Sequence, residues 1–451
     1  MPPSLEHLPP VRTVPAEQVR DALAGTPTVV VLDDDPTGTQ PVRDLPVLTR
    51  WSPDDVAWAL AQGTPAFFVL TNTRSLDPDA AAARDREVVR TCLDVAHREG
   101  VALVFASRSD STLRGHFPLE TDVIAAEVGT PHTVVLAPAF PDAGRVTVDG
   151  VHHLRDGDRL TPVAESEFAR DATFGYRSSR LADWVAEKSG GATPAAAVAE
   201  VRLEDLRAGP VEIPDADVVV LDAVVEDDLR AAVLALLAAE RHGARFVYRV
   251  GPTFVRARVG QPEHPPLADA ELADAVGRGH GLVVVGSHVG RTTRQLEHLA
   301  GRRELDTVEV DVPAVLDGTA DLDATAAAVA TSLEGRTTVL STSRTLVTGR
   351  DEAESLDIAR RVSAALTTVT ARVVTDRPPA YVLAKGGITS SDVATDALRA
   401  DRAWVRGSLL PGIVSLWTPT SGPPLVVFAG NVGDDGALAD VVDRLEEAAC
   451  A

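Results

Sequence analysis

The sequence predicts an α/β protein of two domains, each a mostly parallel sheet flanked by helices, with an active site in the cleft between them. Three observations predict it. Short β-branched runs such as Val29-Val30-Val31-Leu32 each lead into a polar or glycine-rich loop and then a helical stretch. The alternation runs through the first half, lapses in a proline-rich stretch after Gly251, and restarts at Gly281. The chemically active side chains gather where the apolar runs end, and that is where ligands lie in open parallel sheets. The expected division is residues 1–255, a linker at 256–266, and residues 267–451.

Taken in order, Pro15 to Ala24 reads as a short helix and Thr28 to Leu32 as the first strand, running into Asp33-Asp34-Asp35-Pro36-Thr37-Gly38. Pro41 to Arg50 reads as extended. Ser52-Pro53-Asp54-Asp55 starts a helix, with an N-cap, a proline at the first position and acids in the first turn. Ala66 to Leu70 is a buried strand that ends in a loop holding Arg74, and Asp77-Pro78 caps a long helix ending near Gly100. Val101 to Ala106 is the next strand and leads into Ser107–His116, and Thr133 to Ala137 is another. His152 and His153 fall in a hairpin and lack the spacing of metal ligands. Residues 161–215 are poorly legible. A strand at Asp217–Leu221, a helix at Val225–His242 and a strand at Arg245–Val250 complete the first half.

The second half repeats the pattern. Strands are expected at 281–285, 304–310, 336–340, 381–384 and 425–428. Helices are expected at 291–300, 322–333 and 352–371 and near the C-terminus.

Composition limits the function. The chain has 451 residues and a formal net charge of −23, without a basic block, which argues against nucleic acid as a partner on electrostatic grounds. Neither a signal sequence nor a membrane-spanning apolar run is evident, which leaves the cytoplasm as the expected location. The two cysteines, Cys92 and Cys450, suggest neither a disulfide framework nor a zinc site. No metal site is predicted from the side chains, and homo-oligomerisation is left open.

The strand ends carry the chemistry. Arg74, Arg108 and Arg114 with the three aspartates and neighbouring hydroxyls suit a small polyol bearing a carboxylate. Arginine would clamp the carboxylate, and aspartate would accept from hydroxyls. In the second half, Gly286-Ser287, Lys385-Gly386-Gly387-Ile388-Thr389 and Gly430-Asn431-Val432-Gly433 are glycine-rich loops that follow strands. Such loops let backbone N–H groups approach phosphate oxygens. Lys385 is one of only two lysines in the chain, the other being Lys188, and it reads as a point charge for a phosphate. Neither GxGxxG after a strand nor GxxxxGK[ST] occurs.

Together these motifs resemble the four-carbon acid sugar kinase family. Asp34-Asp35-Pro36-Thr37-Gly38, Arg108-Ser109-Asp110-Ser111-Thr112-Leu113-Arg114-Gly115, Gly286-Ser287 with Thr292 and Gln295, Lys385–Ser390, and Gly430–Gly433 match in order. Arg108 stands where the family usually has lysine, and Thr39 where alanine is common. The resemblance implies ATP- and Mg²⁺-dependent phosphorylation of a terminal hydroxyl on a threonate, erythronate or 3-oxo-tetronate type of acid. It implies that Asp34, Arg74, Arg108, Ser109, Asp110 and Ser111 hold the sugar acid, to which the arginine reading adds Arg114. Ser287, Gly386, Gly387, Ile388, Thr389 and Gly430 would hold ATP, with Lys385 and Asn431 beside them. Asp35 or Asp110 would orient or deprotonate the attacking hydroxyl, and the domains would close about the linker.

Two alternatives compete. Asp33, Asp35 and Thr37 also fit a haloacid-dehalogenase-like phosphatase with Asp33 as nucleophile. That reading makes Asp33 essential, whereas the kinase reading makes it dispensable. The other is a non-catalytic sensor of sugar acid or nucleotide.

Overall fold

The computed structural model describes residues 7–129, 132–343, 347, 350, 352–430 and 432–450. The chain forms two compact units, Met1–His264 and Pro265–Ala451.

The strands of the first unit are β1 (Thr28–Asp33), β2 (Leu45–Leu48), β3 (Ala66–Leu70), β4 (Leu103–Arg108), β5 (Thr133–Ala137), β6 (Arg145–Val148), β7 (Val151–Asp156), β8 (Arg159–Pro162), β9 (Val198–Val201), β10 (Val218–Leu221) and β11 (Phe246–Val250). The main sheet has the order β2-β3-β1-β4-β11-β5-β10-β9, with parallel neighbours throughout. Helices on both faces explain the near-continuous apolar strands. Val30, Leu32, Phe67, Val69 and Phe105 pack with the helix Pro78–Glu99 on one side. Val134, Leu136, Val218 and Val220 continue that face and pack with the helix Leu181–Lys188, while on the opposite face Tyr248 meets Phe254 and donates to Glu240 of the helix Glu226–Arg241. β6, β7 and β8 form a separate three-stranded antiparallel sheet.

The chain leaves β1 towards β2 and β3 but leaves β4 towards β11 and β5. The order therefore reverses between β1 and β4, and a crevice opens beyond their C-terminal ends. Asp33 and Arg108 are register partners at that point.

The second unit contains β12 (Leu282–Val285), β13 (Asp306–Val310), β14 (Thr338–Thr342), β15 (Val382–Lys385), β16 (Arg402–Leu410), β17 (Ile413–Pro419) and β18 (Leu425–Phe428). Its order is β13-β14-β12-β15-β18-β17-β16, parallel from β13 to β18 and antiparallel thereafter. Here the reversal falls between β12 and β15. Its core joins Val283, Val285, Leu383, Val426 and Phe428 to the helix Ala437–Cys450.

Three features depart from the sequence reading. The expected linker begins inside a helix, Pro252–Arg258, every residue of which is buried. Arg256 is paired with Asp142 and Glu226, and Arg258 with Glu240, so the charges that suggested exposure are satisfied internally. The hairpin β16–β17 and the helix Leu119–Val128 were not anticipated. That helix is buried on several sides and lacks a one-faced apolar pattern, which is why its sequence does not announce it.

Candidate active site

Beyond β1, three consecutive aspartates take three different environments. Asp33 is 1% exposed, and its Oδ1 accepts from both Nε and Nη2 of Arg108. Arg108 is equally enclosed and also donates to the Asp35 carbonyl. Gly38 lies directly over this pair, where a Cβ would overlap the guanidinium and the Asp33 carboxylate. The glycine of the Asp-Asp-Pro-Thr-Gly run is thus required by close packing.

Asp34 is buried in a bidentate pair with Arg74, at 3.0 Å to Nε and 2.6 Å to Nη2. Burial pushes its carboxyl up to about 7, with Arg74 opposing. Asp35 is the open one, at 21% exposed. Its Oδ1 caps the turn Pro36–Thr39, accepting from the Thr37 amide at 2.8 Å and the Thr37 hydroxyl at 2.5 Å. Its Oδ2 lies 3.5 Å from Nη1 of Arg74.

The loop after β4 folds around Asp110. Asp110 accepts from the Thr112 amide at 3.2 Å, from the Thr112 hydroxyl, and from Nε of Arg114 at 2.6 Å. Burial would raise its carboxyl, but Arg74, Arg114 and these bonds outweigh burial and hold it well below the usual range. Buried groups pin the loop from behind. His152 Nε2 is 2.7 Å from the Ser111 carbonyl, and the Tyr176 hydroxyl donates to the Thr112 carbonyl at 2.6 Å. The Ser109 amide donates to the Val250 carbonyl at 3.0 Å.

Sequence reasoning missed the group beneath the site. Glu120 accepts from Thr73 at 2.7 Å, from Ser107 at 2.8 Å and from Arg249. Asp85, on the helix Pro78–Glu99, is buried with no hydrogen-bond partner for Oδ1. A charged residue inside Phe246-Val247-Tyr248-Arg249-Val250 was the available signal for Arg249, since a buried strand holds an arginine only when it is paired.

At the reversal point of the second unit, the loops after β12, β15 and β18 meet. The Thr292 hydroxyl donates to the Gly430 carbonyl at 3.1 Å and to Ser287 Oγ at 3.3 Å. A Cβ on Gly430 would lie 2.9 Å from Ser287 Oγ, and one on Gly386 (φ 125°) would lie 3.0 Å from Thr389 Oγ1. Gly387 and Ile388 open the helix Gly387–Asp392, and Ile388 is 60% exposed. Gln295 ties down the following segment through the Val432 and Asp434 carbonyls, at 3.1 and 2.7 Å.

Lys385 does not take the place expected of it. It is fully buried, with Nζ donating to the Ala429 carbonyl at 2.7 Å and lying 3.7 Å from the centre of the Phe428 ring. As the last residue of a strand buried on both faces, its side chain turns inward. Burial, and after it Arg291, pushes the amine down to about 7. Asn431 lies outside the described residues.

Comparisons with known proteins match two separate stretches of the chain. The family of sugar-binding N-terminal domains matches residues 29–258, and that of nucleotide-binding C-terminal domains matches residues 282–438. A D-threonate kinase of Salmonella typhimurium is 26% identical over 84% of this chain and 88% of its own length. A D-erythronate kinase of Heliobacterium modesticaldum is 30% identical over 55% of this chain, a match that spans about half (53%) of the relative. A crystal structure of a Salmonella typhimurium protein superposes with a TM-score of 0.65 at 19% identity, covering 92% of this chain and 98% of the other. That likeness concerns the fold.

Proposed function

Since this chain belongs to the four-carbon acid sugar kinase family, we propose that it transfers the γ-phosphoryl group of ATP to a terminal hydroxyl of a threonate- or erythronate-type acid. The observation that carries the reading is the contrast among the three aspartates. Asp33 and Asp34 are enclosed and neutralised by arginines, while Asp35 alone stays open beside them.

Asp35 is the better of the two candidate bases. It retains an oxygen outside the cap of its own turn, whereas both oxygens of Asp110 accept hydrogen bonds and its proton affinity is suppressed. Asp110 then serves by accepting from a substrate hydroxyl and by fixing Arg114. Asp34 holds Arg74 in place. On the nucleotide side, Ser287, Gly430 and the first-turn backbone of the helix that opens at Gly387 would face the phosphate oxygens, while the Gly386 amide, which donates to the Phe428 carbonyl at 2.8 Å, fixes the loop. Lys385 supports the Ala429 carbonyl from behind.

Among the described residues no group of three or more His, Cys, Asp or Glu could hold a metal ion. Mg²⁺ would arrive with the nucleotide, held chiefly by phosphate oxygens and water. Bound there, it supplies neutralising charge to the phosphates. Among the described residues no helix is long and apolar enough to cross a membrane.

The phosphatase alternative needs Asp33 as an accessible nucleophile, and the enclosure of Asp33 beneath Gly38 speaks against that role. The test is coupled ADP release with Mg²⁺-ATP against a panel of four-carbon sugar acids. Acid-dependent ADP from the wild type that is lost in Asp35→Asn supports the kinase. Phosphate release from phosphorylated sugars with no ADP from any acid would overturn it.

A further inference from the structure

We propose that Arg145 receives the carboxylate of the acceptor and thereby sets the preference for sugar acids over neutral sugars. The inference rests on the kinase reading and adds a residue to it.

The arginines that the sequence offers as a carboxylate clamp are already committed. Arg74 is paired with Asp34 at 2.6 Å, Arg108 with Asp33, and Arg114 with Asp110 at 2.6 Å. Arg249 beneath them is paired with Glu120. A substrate carboxylate brought to any of these would have to compete with an aspartate or glutamate held in place by the fold.

Arg145 differs. It is half-buried at the start of β6, and Nη1 donates to the Ala143 carbonyl. Its Nε is buried without a hydrogen-bond partner, and among the described residues the one carboxylate that acts on it, Asp110, is itself bonded to Arg114. Burial, with Arg114 adding to it and Asp110 opposing, pulls the guanidinium below its ordinary value. A desolvated cation with no carboxylate in direct contact is costly, and an anion in the right place removes that cost. The planar fork of donors matches a carboxylate.

Its position is also suitable. Residues two apart on a strand share a face, so Arg145 and Thr147 point the same way. Thr147 Oγ1 lies 2.9 Å from Nδ1 of His152, its cross-strand partner, and the other nitrogen of that ring reaches the Ser111 carbonyl at 2.7 Å. This face of the hairpin is therefore the one laid against the Ser109–Arg114 loop, and Asp110 and Arg114 are the charges that act on Arg145.

The test compares wild type, Arg145→Gln and Arg145→Lys, using threonate and erythronate and their neutral amides as probes. Binding is read by calorimetry, and turnover by ADP release. Arg145→Gln is expected to weaken acid binding by about 10- to 100-fold while leaving amide affinity within about threefold of wild type, because only the charged hydrogen bonds are lost. The KM for ATP stays at the wild-type value, and Arg145→Lys recovers part of the preference. A parallel loss for acid and amide would mean a merely structural role and would overturn the proposal. So would an unchanged acid-to-amide ratio, or a wild type that binds acid and amide alike. A wild type that binds the acids selectively but releases no ADP would sink the kinase reading, and the calorimetric comparison would still decide the role of Arg145.

Discussion

Asp33→Asn is the most informative single substitution, because the sequence and the structure assign this residue different roles. By sequence alone it is either a nucleophile or dispensable. In the structure it is the buried partner of a buried arginine, with Arg108 enclosed to the same degree. Breaking such a pair from one side costs about 3–5 kcal/mol, since the other charge stays desolvated. Asparagine keeps one acceptor oxygen, and Asp34 Oδ1 remains 3.3 Å from Arg108 Nη2, which places the expected loss near the low end, about 3 kcal/mol. For a unit the size of Met1–His264, each kcal/mol moves the midpoint by about 2–4 °C, so the transition of that unit should fall by about 6–12 °C. Differential scanning calorimetry measures this shift. ADP release from the still-folded variant, assayed well below its midpoint, should remain within about tenfold of wild type, because Asp33 is positioned to order the site and not to react. An unmoved midpoint would refute the argument from buried charge. A fully folded variant with no turnover would refute the structural role of Asp33 and return it to the chemistry.

Other substitutions test other parts of the site. Gly38→Ala forces a methyl group into the Arg108–Asp33 pair and should destabilise by about 1–3 kcal/mol, measured by urea denaturation, with a matching rise in sugar-acid KM. Asp85 is pushed up to about 9 by burial, then by Glu120, with Arg249 opposing, from an ordinary value of 3.8. The folded state therefore holds a proton that the unfolded state releases between these values, and the contribution of Asp85 to stability is lost as pH rises towards 9. Asp85→Asn should flatten that decline in urea midpoints recorded across the range. Lys385→Met removes the bond to the Ala429 carbonyl and should raise the ATP KM by about tenfold through a loosened loop, leaving sugar-acid binding by calorimetry unchanged.

The parts of this molecule legible in its sequence are those whose partners are near in the chain or whose period is regular. β1 and its acids, the capped helix Pro53–Ala61 and the helix Pro78–Glu99 are local patterns, and each stands where the sequence places it. Arg74 beside the acids followed from the strand-end rule. Arg249 and Glu120 did not, because their pairing spans 129 positions and depends on β11 inserting next to β4. Arg145 was hidden for a related reason, because an arginine in a hairpin reads as solvated until the fold shows what surrounds it. Lys385 was read in the right loop with the wrong orientation. Its position at the end of a strand suggested a ligand, whereas burial on both faces of the strand turns the side chain inward.

The enclosure of Lys385 has a practical consequence for probing the molecule. The chain offers acylating reagents only two side-chain amines, Lys188 and Lys385. With its amine pushed down to about 7 by burial, Lys385 has far more of the uncharged, nucleophilic form near neutrality than an exposed lysine, yet it is sealed behind the Ala429 carbonyl and the Phe428 ring. Its rate of acylation is therefore set by how often that loop opens, and peptide mapping of the label becomes a clock for local unfolding on the nucleotide side. A nucleotide that braces the loop should slow this clock, while the label on Lys188 provides the internal reference.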